Sequence, residues 1–256
     1  FALMYRRCQP LAPKHKFKFK NKLFSLDATV VSLCLSLFPW ARFRRTKGGI
    51  KLHTLLDHDG YLPAFVAISP AREHEVKKAR SLSLLKGSIV VEDLGYTDYD
   101  RYAQLTAQKI FFITRQKRNA RYEVLESRKV NKKQGLLSDQ TIRLQAQECP
   151  LSLRRIAYRD ATGRRYVFLS NHFKLAAKTI ADIYKERWQI ELFFRWIKQN
   201  LRIKTFYGTS ENAVKTQIWV AITVYVLAAI IKKKLAPAIP LYTFLQILSV
   251  TVFEKT

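Results

Sequence analysis

Apolar positions in the first half of the chain come in short runs, some alternating with polar residues and some continuous. Residues 23–31, 50–56, 61–68, 88–92 and 109–114 read as strands by length and β-branched content, and 71–85 and 98–107 as helices. Asp57-His58-Asp59-Gly60 lies between two of the strands and predicts a hairpin turn with exposed polar residues. Between 115 and 169 the runs shorten to 122–125, 141–144, 154–158 and 166–169, predicting a β-rich insertion. Beyond it, 175–201, 211–233 and 241–254 carry helical composition, the last after Pro237 and Pro240. Strand, hairpin, helix, strand, helix, strand is the order of a mixed α/β sheet. The division predicted is a basic lead-in at 1–22, a core at 23–114, the insertion at 115–169 and a helical second part of the core at 170–256.

Composition changes this picture through charge. Forty-six Lys and Arg against nineteen Asp and Glu leave +27, far beyond what solubility needs, so a polyanion is the expected partner. Nucleic acid ranks first and an anionic membrane surface second. The cations are spread in clusters, 14–22, 42–51, 115–121, 128–133 and 154–165, which suits a long DNA track better than a detachable tail. Cys8, Cys34 and Cys149 are odd in number and widely spaced, which argues against a disulfide framework and for a reducing, cytoplasmic setting. The most apolar window, 218–231, is about fourteen residues, short of the roughly twenty that span a bilayer, and reads as a core helix. No Gly-rich phosphate loop and no helical His pair points to ATP or to a nitrogen-rich metal centre, and His53, His58 and His74 read as hairpin and helix-start residues.

The densest chemistry lies at 184–198. On one continuous helix Tyr184, Arg187, Glu191 and Lys198 fall within about 60° of each other and form a polar stripe beside Trp188, Phe193, Phe194 and Trp196. The bland reading is a solvated amphipathic face. The spacing, however, resembles the Y-(2)-R-(3)-E-(6)-K signature of bacterial insertion-sequence DDE transposases. Other blocks are similar to that family in the same order: Leu23 with Asp27-Ala28-Thr29, Arg44-Arg45-Thr46-Lys47-Gly48, Glu92-Asp93-Leu94-Gly95-Tyr96 and Phe206-Tyr207-Gly208-Thr209-Ser210.

This resemblance implies a ribonuclease H-like mixed-sheet core with a β-rich insertion before the last catalytic helix. It implies Asp27, Asp93 and Glu191 as catalytic residues and ligands of two Mg2+ or Mn2+ ions, hard cations that prefer carboxylate oxygen. Arg187 and Lys198 would contact DNA phosphates and Tyr184 would donate a hydrogen bond to a DNA phosphate or to a carboxylate, with Arg44, Arg45, Lys47, Lys117 and Arg118 as further backbone contacts. The partners implied are double-stranded DNA, as element ends and target, and a second copy of the chain in a synaptic dimer; no membrane is expected. Read without the family, Asp27 is an ionisable residue in an apolar strand, costly to bury unless paired, and otherwise a turn at a strand end. Asp93 ends a strand where open sheets hold ligands, or caps a helix, a role that Asp98 can take instead. Glu92 is a rival that alternation should send to the other face, and Asp57 and Asp59 are rivals read as exposed turn residues.

Two blocks depart from the family pattern: Ala28 stands where Ser is usual and Leu94 where Arg is frequent. The chain also starts close to the first catalytic strand, as an N-terminally truncated copy would. The reading is therefore a metal-dependent transposase, with a non-catalytic DNA-binding relic as the alternative.

Overall fold

The computed structural model describes residues 1–145, 151–200, 206–235 and 238–251. In chain order the elements are α1 (Ala2–Cys8), β1 (Leu23–Leu33), β2 (Arg42–Arg44), β3 (Lys47–Asp57), β4 (Leu62–Pro70), α2 (Glu75–Arg80), β5 (Ile89–Glu92), α3 (Tyr99–Ala107) and β6 (Phe111–Arg115). There follow β7 (Tyr122–Arg128), β8 (Leu136–Leu144), β9 (Ser152–Arg159), β10 (Arg165–Ser170), α4 (Ala177–Glu186), α5 (Trp188–Asn200), α6 (Glu211–Leu235) and α7 (Leu241–Thr251). Cys149 and the end of the expected last helix lie outside the described residues. The chain forms two compact units, and β1 passes from one into the other.

The unit made of 19–26 and 74–188 is built on a mixed sheet in the order β1-β5-β6-β10-β9-β8-β7. Its first three strands are parallel, Leu23 to Leu26 against Ile89 to Glu92, and Ile89 to Val91 against Phe111 to Ile113. The middle one, β5, is buried along its whole length, as a strand covered on both faces must be, which explains why 88–92 is an unbroken apolar run up to Glu92. The remaining strands are antiparallel, with β10 on β6 and then a meander through β9, β8 and β7. Gly135 opens β8 at φ 79, and a Cβ there would stand 2.3 Å from the Arg159 carbonyl oxygen, so only glycine fits this turn. Register divides the side chains between two faces. On one, Tyr102 of α3 stacks on Phe112 at 4.3 Å. On the other, Tyr184 of α4 packs on Phe168 at 4.9 Å. Asp98 caps α3 by accepting from the Arg101 N–H at 3.3 Å.

The unit made of 1–18, 27–73 and 189–256 pairs β3 with β2, β4 and β1. Its core joins Leu52, Leu56 and Leu62 to Ile190, Phe193 and Ile197 of α5 and to Ile218, Ile222 and Tyr225 of α6. Full burial of each such aliphatic side chain contributes about 1.5–3 kcal/mol. As a helix α6 runs 25 residues and is long and apolar enough to cross a membrane by length and composition, longer than its apolar window suggests. Val214, Ile218, Ala221, Ile222, Tyr225, Val226 and Ala228 are buried in this core, while Val220, Val224 and Leu227 on its other side are exposed.

Three expectations need correction. The hairpin of β3 and β4 forms, but its tip is not exposed: Asp57, His58 and Asp59 are buried. The first residues of the chain cover it. The Tyr5 hydroxyl donates to Asp57 at 3.3 Å, and Asp59 accepts from the His15 N–H at 2.9 Å and from Lys14 Nζ at 3.1 Å. Hydrogen bonds and one ion pair thus compensate the desolvation of two carboxylates. Burial, with Asp57 beside it, raises the Tyr5 phenol above its ordinary pKa. Second, the helix expected at 71–85 is only Glu75–Arg80, because Pro70 ends β4 and the apolar residues at 82–85 lie outside any helix. Third, the single helix expected at 175–201 is two, α4 and α5, flanking Arg187, whose N–H bonds the Tyr184 carbonyl three residues back at 3.2 Å. Arg187 keeps right-handed helical angles, φ −52 and ψ −26, so one tightened turn interrupts the ladder.

Candidate active site

Glu92 and Asp93 are adjacent, and the pleat of β5 parts them. Glu92 turns toward α3, is fully buried and accepts from Arg101 Nη1 at 2.6 Å. Burial raises its pKa while the guanidinium opposes that shift. It is therefore occupied in holding α3 to the sheet. Asp93, one residue past the strand, is half-buried and accepts from the Tyr184 hydroxyl at 3.3 Å. Burial, with Asp93 beside it, pushes the Tyr184 phenol up to about 12. It stays protonated at neutral pH and acts toward the carboxylate as a donor. The Arg187 guanidinium lies 5.7 Å from the centre of the Tyr184 ring, and Arg187 and Arg115 both act on the phenol electrostatically. Tyr184, Asp93, Arg187 and Arg115 thus form one cluster of a phenol, a carboxylate and two cations.

The other two expected carboxylates, Asp27 and Glu191, belong to the other compact unit. Asp27 is half-buried, and its Oδ1 accepts the Ala28 N–H at 2.8 Å. Glu191 lies in the first turn of α5, where a helix's positive end favours an acidic side chain. Lys198 lies seven residues further along the same helix, and partial burial lowers its pKa. Among the described residues, no three His, Cys, Asp or Glu side chains form a ready group that could hold a metal ion.

A profile of the Transposase DDE domain matches residues 18–227. The chain belongs to that family. The transposase y4zB of Sinorhizobium fredii is 32% identical over 237 residues, which cover 90% of this chain and 66% of that protein. The transposase of insertion sequence element IS5377 from Geobacillus stearothermophilus is 32% identical over 232 residues, 88% of this chain and 60% of that protein. This DDE-domain chain therefore spans about three-fifths to two-thirds of the length of those two curated relatives. Among solved structures, a cryo-EM structure of a piggyBac transposase synaptic complex with hairpin DNA aligns with a TM-score of 0.52 at 12% identity, over 91% of this chain and 52% of that one. That likeness bears on the fold, a mixed α/β architecture with a large mixed sheet.

In this DDE-domain chain the other expected contacts fall into two groups. Arg44, Arg45 and Lys47 are exposed around the β2–β3 turn, near Trp40, whose indole N–H donates to the Thr209 carbonyl at 2.7 Å. Lys117 and Arg118 are exposed in the loop after β6. His53 is buried against the Ser69 hydroxyl at 2.8 Å, and His58 packs against Tyr61. Two features escaped sequence reasoning. Arg115 was legible only as one cation in a basic run, yet it acts on the phenol that holds Asp93. Arg155 was one of a basic cluster, yet it is buried without a carboxylate among the described residues.

Proposed function

We propose that this chain carries the catalytic part of a DNA transposase of the Y-(2)-R-(3)-E-(6)-K group, which hydrolyses phosphodiesters at element ends and transfers the 3′-hydroxyl into target DNA. The observation that carries this reading is the Asp93–Tyr184 hydrogen bond at the end of β5. The core is read as ribonuclease H-like, with β7 to β10 as the insertion that precedes the helix of Glu191.

Asp27, Asp93 and Glu191 would hold Mg2+ or Mn2+. The donor chemistry fits: all three are hard carboxylates, and Asp93 Oδ2 makes no hydrogen bond among the described residues. When bound, two such ions activate the attacking oxygen, offset charge on the scissile phosphate and stabilise the departing 3′ oxygen. Tyr184 orients Asp93 by donating to Oδ1, in the way outer hydrogen bonds fix metal-binding carboxylates. Arg187 and Lys198 grip DNA phosphates near the cut, and the exposed Arg44, Arg45, Lys47, Lys117 and Arg118 extend the contact along the backbone. The polyanion required by +27 is double-stranded DNA, bound by two copies of the chain in a synaptic complex.

The test is magnesium-dependent nicking of a supercoiled plasmid by this chain and by Glu191→Gln. Nicking by the parent and at least a hundredfold less by the variant is expected; equal rates would sink the assignment. A second reading, DNA binding without chemistry, is favoured by Leu94 in the Asp93 block, where the family pattern often has an Arg. It predicts retained duplex binding and no nicking by either protein.

A further inference from the structure

On the face of the sheet that carries α3, away from Tyr184, the strands β6, β10 and β9 and the 116–121 loop enclose a cavity of about 360 Å³. Its lining includes Arg115, Lys117, Arg118, Arg155, Arg165 and Tyr122 and, among the described residues, no acidic one. Arg155 is the buried member of this lining. It is 8% exposed, and its Nε donates to Gln116 Oε1 at 2.8 Å and its Nη1 to Gln140 Oε1 at 2.9 Å and Ser138 Oγ at 3.4 Å. The guanidinium also lies 4.8 Å from the centre of the Tyr122 ring. All of these partners are neutral.

A buried charge is normally matched by an opposite one, since its desolvation costs several kcal/mol. Arg155 is instead oriented by uncharged acceptors, and Arg165 in the same lining opposes its charge. Burial lowers its pKa, though a guanidinium remains charged at neutral pH. Cations thus converge on a cavity large enough for a phosphate group and part of the chain attached to it. Lys117 and Arg118, both exposed, open the cavity to the surface loop.

We propose that this cavity is a phosphate-binding site, filled by a phosphodiester of DNA that follows the 116–121 loop, and distinct from Asp93. Arg115 is the one residue of the lining that also acts on Tyr184. The DNA source rests on reading the chain as a transposase; the phosphate chemistry does not.

The test uses the full chain in two arms. In the first, the melting temperature is followed in inorganic phosphate against chloride at matched ionic strength, for the parent, Arg155→Gln and the surface pair Lys117→Gln/Arg165→Gln. In the second, anisotropy of a labelled duplex is titrated from about 50 to 300 mM salt, where counterion release is measurable. Phosphate is expected to raise the parent's melting temperature by several degrees and that of the variants by much less. Duplex affinity is expected to fall about tenfold in the variants, with the slope of log K against log salt smaller by about one per lost contact. Lost phosphate stabilisation with unchanged duplex binding would assign the site to a free phosphoryl compound and overturn its DNA source. Equal phosphate stabilisation in parent and variants, or none in the parent, would overturn the site itself. The surface pair decides the matter if Arg155→Gln does not fold. Plasmid nicking is scored in parallel, so absent nicking beside intact phosphate stabilisation refutes the cleavage reading alone.

Discussion

Arg154 and Arg155 are neighbours on β9 and nearly equally buried, at 4% and 8% exposure, yet the two faces of the sheet treat them differently. Arg154 meets Asp139 in a two-point ion pair, 2.9 Å from Nε and 2.6 Å from Nη2, and its Nη1 donates to the carbonyls of His172, Phe173 and Leu175. It ties the meander to the segment entering α4. Among the described residues Arg155 has only neutral hydrogen-bond partners, and it lines a cavity. The same division separates Glu92, paired with Arg101, from Asp93, whose Oδ2 makes no hydrogen bond among the described residues. In both pairs a buried, ion-paired charge holds the fold, while its neighbour on the opposite face is held in place by neutral donors or acceptors. Such a group is oriented without being neutralised, which is what binding an outside charge requires.

The largest expected effect comes from breaking a matched pair. Asp139→Ala leaves Arg154 buried without a counter-charge and should cost about 3–5 kcal/mol in urea unfolding. Arg155→Met should cost less than Asp139→Ala, since it removes a charge without a counter-charge among the described residues and loses only hydrogen bonds to the neutral Gln116, Ser138 and Gln140. Equal losses in the two variants would erase the distinction between the two faces.

The carboxylates on β5 allow the same comparison. Glu92→Gln is expected to destabilise the chain by roughly 3 kcal/mol by leaving Arg101 without its counter-charge. Asp93→Asn should change stability by less than about 1 kcal/mol and abolish plasmid nicking. Nicking by Asp93→Asn at the parental rate would remove Asp93 from the chemistry.

These contrasts show what was legible in the sequence. Alternation along the 89–92 run is enough to part Glu92 from Asp93, because a short apolar run fixes the pleat and leaves only two phases. Asp98 was recognisable as a cap from its place before a helical run. The fate of Asp57 and Asp59 was not legible, since the segment covering them is 44 to 52 residues earlier in the chain and a polar turn looks the same whether covered or open. Nor was the break at Arg187: helical angles persist through it, and one tightened turn leaves no mark in composition. Which arginine of the 154–155 pair receives a carboxylate depends on the register of β8 against β9, which shifts between Leu136 and Ser138 and is invisible in either strand alone.

A smaller effect separates the faces by pH. His172 is buried behind Arg154 and packs on Phe111 at 4.1 Å, and its Nδ1 accepts the Leu175 N–H at 3.2 Å. Burial first, and then the charge of Arg154, lowers its pKa to about 4 from an ordinary 6.5. Between those values the unfolded chain binds a proton that the folded chain does not. Stability therefore falls as pH drops from about 6.5 toward 4, and this loss is absent above about 6.5. His172→Asn, which retains an acceptor for Leu175, should flatten that part of the urea midpoint against pH; an unchanged slope would place the titration elsewhere.

A change in stability of similarly small size should come from Tyr184→Phe, which removes one hydrogen bond to a half-buried carboxylate and costs about 1 kcal/mol. Its value lies in separating orientation from neutralisation. Ring packing on Phe168 survives the substitution, so the fold persists while Asp93 loses the donor that fixes it. If Asp93 holds a divalent ion, the magnesium concentration for half-maximal nicking should rise about tenfold, the effect of losing an outer hydrogen bond on a metal ligand. The salt dependence of duplex binding should stay the same, because no cation has been removed. A Tyr184→Phe variant with weaker duplex binding and an unaltered magnesium requirement would instead make the phenol a contact to DNA, and would move Tyr184 from the carboxylate's support to the DNA surface.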